Sequence, residues 1–155
     1  MKKHLGFVWV LMLFWAGAAF AADSALPLAH ARIVTHNGAV PLTLEIAATP
    51  QTRAHGLMHR DDIGAYDGMV FLFPTAEPQN FWMKNTRIPL DMIFVDESGV
   101  IRTIIASAVP YSLKPRGTDA AVATVIELAG GRAAALGIDV GDKVELTLPQ
   151  GVVIE

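Results

Sequence analysis

Short apolar segments separated by turn residues dominate the chain after residue 30. In these segments apolar and polar positions alternate, or apolar residues run together, and each segment stops at Gly, Pro, Asn or Asp, as strands do. The segment 69–73 is apolar on both faces, which is typical of a central strand with both sides covered. The pattern predicts strands at 31–36, 40–47, 69–73, 81–85, 91–95, 100–106, 122–128 and 143–148.

Turn and capping residues complete this prediction. Asn37-Gly38 between the first two strands favours a hairpin, because both residues tolerate positive φ. Thr49-Pro50 predicts a short helix that begins with a threonine cap and ends near Gly56. A second short helix is expected at 131–136. We therefore expect an α+β, mostly β fold: one compact domain of short, mainly antiparallel strands, arranged as a sandwich or a partly closed barrel, with two short helices.

The amino-terminal segment has the pattern of a secretory signal peptide. A basic start at 1–3 precedes an apolar run at 5–20, and Ala19-Phe20-Ala21 supplies the small residues of a cleavage site. An uncleaved membrane anchor is the alternative, but the run is shorter than the roughly 20 residues that span a bilayer. We expect cleavage after Ala21, export to a bacterial periplasm, a flexible tail at 22–30 and a single β-rich domain at 31–155.

Composition narrows the classes of partner. The formal net charge is −3, and loss of Lys2 and Lys3 leaves 10 basic against 15 acidic residues, so no basic nucleic-acid footprint is expected. The chain has no cysteine and so forms no disulfide. No second long apolar stretch is present, which predicts no stable membrane insertion after signal cleavage. No phosphate-binding or dinucleotide motif is found, and we expect no cofactor.

The stretch FWMKNTRIPLD, at 81–91, places polar groups where the pattern calls for burial. Asp91 shares a strand face with Ile93 and Val95, so its carboxylate needs a partner. The cations available in the chain nearby are Lys84, Arg87, Arg53 and Arg60. The stretch is interpreted either as a salt-bridge or loop-capping network that fixes a turn or as a solvated pocket that binds a ligand.

Glu127 is a second carboxyl in an apolar context. It shares a predicted strand face with Ala123 and Val125, and such burial raises a carboxyl pKa. The alternative is that Glu127 pairs with an arginine of the first predicted helix or faces solvent at a strand end. His55 and His59 are four residues apart, but Gly56 interrupts the helix and no third ligand follows, so we expect surface histidines and no metal. The candidate ligand-binding residues are Arg53, Arg60, Trp82, Lys84, Asn85, Asp91 and Glu127.

The same residues carry a resemblance to a known family. The pattern Arg53-x-x-Gly56-Leu57-Met58-x-Arg60, then Asp67-x-Met69 and the whole of 81–91, resembles the domain-of-unknown-function 192 family over roughly 42–148. The resemblance implies a compact β-rich domain, often exported or lipid-anchored in bacteria, and brings no established reaction.

Three functions are open at this point. The first is a periplasmic protein that binds a small polar ligand, a saccharide or an organic anion, through the Trp, Lys, Asn, Asp and Arg side chains. The second is a structural or interaction protein of the envelope, with an architectural polar motif. The third is a hydrolase or isomerase acting on a sugar through Asp91 and Glu127, which depends on their separation. No catalytic residue or oligomeric state follows from the sequence.

Overall fold

Seven of the nine strands in residues 25–155, the part of the chain that the computed structural model describes, form one mixed sheet. The remaining two strands, β4 and β7, pair with each other. The elements in chain order are β1 (Leu28–Thr35), β2 (Gly38–Ala47), α1 (Pro50–His55), β3 (Gly68–Glu77), β4 (Asn80–Phe81), β5 (Leu90–Val95), β6 (Ile101–Ala108), β7 (Arg116–Gly117), β8 (Val122–Ala129), α2 (Arg132–Ala135) and β9 (Lys143–Thr147). Within these residues, no helix has the length and apolarity to cross a membrane.

The strand order across the sheet is β6-β5-β8-β3-β2-β1-β9. All neighbours are antiparallel except β2 and β3, which pair in parallel from Leu44↔Gly68 to Ala47↔Phe71. The edge strands approach each other at one end through an isolated bridge between Val100 and Lys143, but the sheet is not closed into a barrel. The predicted mostly β class with two short helices is confirmed.

Strand alternation divides the buried side chains into two cores, one on each face of the sheet. In β3, Val70 and Leu72 belong to the first core, whereas Met69 and Phe71 belong to the second. The prediction of a central strand at 69–73 is confirmed, since β3 lies between β8 and β2. The second core lies under α1 and the chain that follows it, where Leu57 is buried.

The predicted hairpin between the first two strands is present, but its turn lies one residue earlier than expected. His36 and Asn37 form the turn between β1 and β2, whose register ends at Thr35↔Gly38, and of the predicted pair only Gly38 has a positive φ, at 121°. The predicted helix cap is confirmed. The Thr49 hydroxyl accepts a hydrogen bond from the Thr52 amide at 3.2 Å, and the Thr52 side chain accepts one from the Thr49 amide, which forms a capping box.

Two boundaries differ from the prediction. β1 begins at Leu28, so the expected tail at 22–30 includes residues that pair with β2. The strand expected at 81–85 ends at Phe81, because Lys84 and Asn85 form a turn in which Asn85 has a φ of 55°. The predicted signal peptide, 1–21, lies outside the described residues.

Candidate functional site

A pocket of about 280 Å³ lies between α1 and the sheet face that carries the second core. Its wall is formed by the helix and the loop after it, by β3, by β4 and the residues that follow, and by one side chain of β8. The lining residues are Arg53, Ala54, His55, Gly56, Leu57, Met58, Phe71, Phe73, Gln79, Asn80, Phe81, Trp82, Thr86 and Glu127.

Aromatic rings form the apolar part of this wall. Phe81 packs edge-on against Phe71, with ring centroids 5.0 Å apart and an interplanar angle of 89°. It makes a second edge-on contact with Phe73, at 6.3 Å and 83°. Such pairs have fixed geometry and low rotamer freedom, so the wall is preformed. Trp82 completes it and is half exposed.

Glu127 is the buried ionisable group of the pocket. In the register of the sheet it lies opposite Met69 of β3 and opposite Met92 of β5, both fully buried. Directly opposed residues share a sheet face, so two methionines flank the carboxyl. No group in residues 25–155 donates a hydrogen bond to this carboxyl. Its oxygen atoms are not completely enclosed by protein, so they remain accessible from the pocket. The carboxyl therefore has its polar contact only through the pocket.

Burial raises the pKa of Glu127 to about 8. The cause is desolvation alone, because no cation or hydrogen-bond donor offsets the loss of water. At neutral pH the side chain is then mainly a neutral carboxylic acid, which can both donate and accept a hydrogen bond. The sequence predicted the direction of this shift from the apolar face of the strand.

Arg53 lines the same pocket, but most of its donors are used inside the protein. Nη1 donates to the carbonyl oxygens of Ala48 at 2.7 Å and Leu72 at 2.9 Å, and Nη2 donates to that of Glu155 at 2.6 Å. Its guanidinium also lies over Phe73, 5.1 Å from the ring centroid. Arg53 thus fixes α1 to the sheet, and two of its five N–H donors remain for other contacts.

Asp91 does not pair with a cation in residues 25–155; hydrogen bonds hold its charge, which was one of the two arrangements expected. Its carboxylate is fully buried and accepts three backbone N–H groups: Ser107 at 2.7 Å, Gly131 at 2.9 Å and Ala133 at 2.8 Å. Gly131 and Ala133 lie at the start of α2, so Asp91, which is on strand β5, caps this helix. Asp91 is an architectural residue.

Lys84, Asn85 and Arg60 lie outside the pocket lining. The Lys84 ammonium lies 5.1 Å from the centroid of the Trp82 ring. The Asn85 carbonyl accepts the His59 amide at 2.9 Å, and its left-handed conformation explains an asparagine there. Arg60 forms a two-pronged ion pair with the Glu45 carboxylate beside a second pocket, on whose lining Arg60 and Glu45 both lie.

Of the seven predicted site residues, three line the pocket: Arg53, Trp82 and Glu127. The pairing of Asp91 with Leu128 places Asp91 on the opposite sheet face from Glu127, so the two carboxyls cannot act together across one sugar. His55 and His59 are exposed, with ring centroids 6.3 Å apart. In the described part of the chain, no three His, Asp or Glu side chains are grouped to hold a metal ion.

Other lining residues were missed from the sequence. Gln79 and Asn80 bring amide groups to the pocket, and Thr86 brings a buried hydroxyl that donates to the Lys84 carbonyl at 3.3 Å. Gly56 has a φ of 50°, and a Cβ there would lie 3.2 Å from the Phe71 ring. In the sequence, the only indication of these lining residues was that Gln79 and Asn80 directly precede the aromatic stretch. The other lining residues are brought to the pocket by long-range packing.

Comparison with known proteins gives a family and two related structures. The model of the DUF192 family, described as Uncharacterized ACR, matches residues 32–146. A Sinorhizobium meliloti 1021 protein, provisionally described as a transcription regulator, is 38% identical with a TM-score of 0.76, over 80% of this chain and 97% of its own. A Novosphingobium aromaticivorans DSM 12444 protein of unknown function is 40% identical with a TM-score of 0.75, over 79% of this chain and 88% of its own. No curated protein matches the chain.

Proposed function

Since the chain belongs to DUF192, a family of uncharacterised proteins, we propose its function from the pocket: it binds a small, neutral polar ligand of the saccharide class. The observation that carries this proposal is the Glu127 carboxyl, buried and without a donor among residues 25–155, at the wall of an aromatic pocket. A buried polar group without a protein partner is uncommon in folded proteins and is explained when a ligand or water supplies the partner.

The size and chemistry of the pocket favour a sugar over an organic anion. Its volume of about 280 Å³ is at the lower limit of sites for drug-sized molecules, which suits a monosaccharide. A neutral carboxylic acid both donates to and accepts from the hydroxyl groups of a sugar, whereas a carboxylate ligand offers it acceptors only. Trp82 and Phe81 offer apolar faces to the ring carbons of a sugar.

Thermal shift and calorimetry with defined probes test this proposal. Glucose, galactose and N-acetylglucosamine serve as neutral probes, and citrate and succinate serve as anionic probes, all at pH 6.5. We expect at least one sugar to raise the Tm by several degrees. Glu127→Leu should abolish the shift, Glu127→Gln should retain part of it because an amide also donates and accepts, and Trp82→Ala should weaken binding about tenfold, as for loss of a central anchor.

The exposed Glu97, in the turn between β5 and β6, provides the matched control. Glu97→Gln should bind the sugar as the wild type does. If citrate or succinate binds and none of the sugars does, the ligand class is an organic anion and not a saccharide. Unchanged sugar binding by Glu127→Leu, or no shift with any probe, would contradict the proposal.

The envelope architectural function keeps partial support. Asp91, Arg53 and Arg60 all find their partners inside the protein, as that hypothesis expects of a structural network. It does not explain Glu127, whose burial destabilises the charged form without any compensating contact. Export to a periplasm accords with a solute-binding role and is tested by locating the protein in cell fractions.

A further inference from the structure

Two loops beside the pocket mouth carry positive charge without any acidic residue. Segments 78–90 and 107–118 contain Lys84, Arg87, Lys114 and Arg116 and no Asp or Glu, although the chain as a whole has more acidic than basic residues. Charge is therefore segregated in this chain, and one small region is locally basic. We call these two segments the basic loops.

Backbone hydrogen bonds hold the basic loops together. The Met83 amide donates to the Ser112 carbonyl at 2.9 Å, and the Tyr111 amide donates to the Thr86 carbonyl at 3.1 Å. The pairing of β4 with β7 joins the same segments, and Met83 and Thr86 are buried beneath them. The side chains at the surface of the loops are thus held in place by ordered backbone.

Large apolar side chains project from these loops. Trp82 is 50% exposed, Tyr111 62% and Leu113 64%. Val109, on the same loop, is also exposed. Isolated exposed apolar residues are common, but here four of them lie on two segments that backbone hydrogen bonds join. Their ordered backbone means that the loops cannot readily turn these side chains inward.

The combination of residues identifies the kind of partner. Trp and Tyr favour the interface between headgroups and acyl chains, Leu favours the acyl region, and Lys and Arg reach anionic headgroups with their long side chains. We propose that the basic loops dock on the surface of a bilayer that contains anionic lipid. This is peripheral binding by loop side chains, without a membrane-spanning segment, and it does not depend on the ligand of the pocket.

Three of the four cations already have neighbours, which limits the charge available. Arg87 donates to the Asp61 carboxylate at 2.7 Å, and Lys84 lies over Trp82. Arg116 donates to the Lys114 carbonyl oxygen at 3.3 Å, and the Lys114 side chain is exposed. Docking should therefore be modest in strength and sensitive to salt, because a few exposed charges are screened within about 8 Å at physiological ionic strength.

Co-sedimentation with vesicles tests the proposal. The probes are vesicles of phosphatidylcholine with 30 mol% phosphatidylglycerol, and vesicles of phosphatidylcholine alone, both at low and high salt. We expect binding to the anionic vesicles at least tenfold tighter than to the neutral ones, with most of it lost at 0.5 M salt. Lys114→Gln and Leu113→Ser should each weaken it several-fold.

Lys143→Gln is the matched control, because Lys143 contacts the turn at Ser98, at the opposite end of β6. It should bind vesicles as the wild type does, and all variants should keep the wild-type Tm and the wild-type response of the pocket to its probe. Equal binding to neutral vesicles, or equal losses in Lys114→Gln and Lys143→Gln, would overturn the proposal. Tight binding to polyglutamate or to duplex DNA that Leu113→Ser leaves intact would overturn it in favour of another partner.

Discussion

The two buried carboxyls of this chain are stabilised in opposite ways. Asp91 accepts three backbone N–H groups, whereas Glu127 accepts none from the described residues and has its pKa raised to about 8 by burial. Both stand on adjacent strands, and only the direction of the side chain separates them. A buried carboxyl can thus be part of the scaffold or a free chemical group, depending on which sheet face it occupies.

The raised pKa of Glu127 predicts a specific dependence of stability on pH. The folded state retains this proton up to about pH 8, whereas the unfolded state loses it near the ordinary glutamate pKa of 4.5. The contribution is therefore fully present below pH 4.5, and it is lost as the pH rises from there through 8. Denaturant unfolding at pH 5, 6, 7 and 8 should show the free energy of unfolding decrease by on the order of 3–5 kcal/mol across this range because of Glu127.

Glu127→Gln isolates this effect, because an amide does not titrate. In this variant the free energy of unfolding should decrease much less between pH 5 and pH 8 than in the wild type. At pH 8 the variant should be more stable than the wild type. His55 and Arg53 line the same pocket and remain in both proteins, so the difference between the two curves belongs to Glu127. Parallel curves for the two proteins would show that Glu127 is ionised in the folded state.

The sequence identified Glu127 and Asp91 as buried carboxyls, since local alternation determines which strand positions face a core. It could not show their partners. The donors to Asp91 come from residues 107, 131 and 133, which only the pairing of distant strands brings near. Lys84 was misplaced for a related reason, because the strand expected at 81–85 gives way to a turn that long-range hydrogen bonds stabilise.

Asp91 connects elements as well as residues. By accepting amides from α2 and from Ser107 near the end of β6, it fixes a four-residue helix that is too short to be stable alone. Ser107 has a φ of 47°, and the register of β5 and β6 shifts between Leu90 and Met92. The carboxylate therefore organises the irregular end of the sheet.

Removal of this carboxylate should be costly at the element scale. Asp91→Ala leaves three N–H groups without an acceptor, the buried one of Ala133 and the partly buried ones of Ser107 and Gly131, at about 1–3 kcal/mol each where water does not replace it. We expect a loss above about 3 kcal/mol in denaturant unfolding. Lys84→Ala serves as the comparison and should cost less than about 1 kcal/mol, as for an exposed cation–π contact. Equal losses in the two variants would indicate that Asp91 is solvated.

At the scale of the whole molecule, the sheet consists of two antiparallel units joined by a short parallel pair. One unit is β9-β1-β2 and the other is β3-β8-β5-β6. Residues 44–47 and 68–71 connect them through the parallel pair, and the bridge between Val100 and Lys143 connects their outer edges. The mostly β class was predictable from the many short strands and turns. The parallel pair was not, because α1 and the loop after it return the chain to the same side without a pattern that signals a crossover.

Hydrogen exchange should reveal this organisation. We expect the slowest amides in β8 and β3, which have a hydrogen-bonded neighbour on both sides, with protection near the global free energy of unfolding. Amides in the last residues of β9, an edge strand, should exchange at least tenfold faster. Uniform protection from β9 to β6 would show that the molecule opens only as one unit.

Because the side chains of β8 alternate between the two sheet faces, the pocket also depends on the native pairing of β8 with its neighbours. A slip of β8 by one residue against β3 and β5 would turn Leu128 towards the pocket and place the Glu127 carboxyl in the opposite core, near Ile93 and Val70. Such a molecule would have neither a stable interior nor a group to meet a ligand. A molecule with the wrong register would therefore not bind a ligand. A ligand of this pocket would bind only the native register and so would stabilise it selectively.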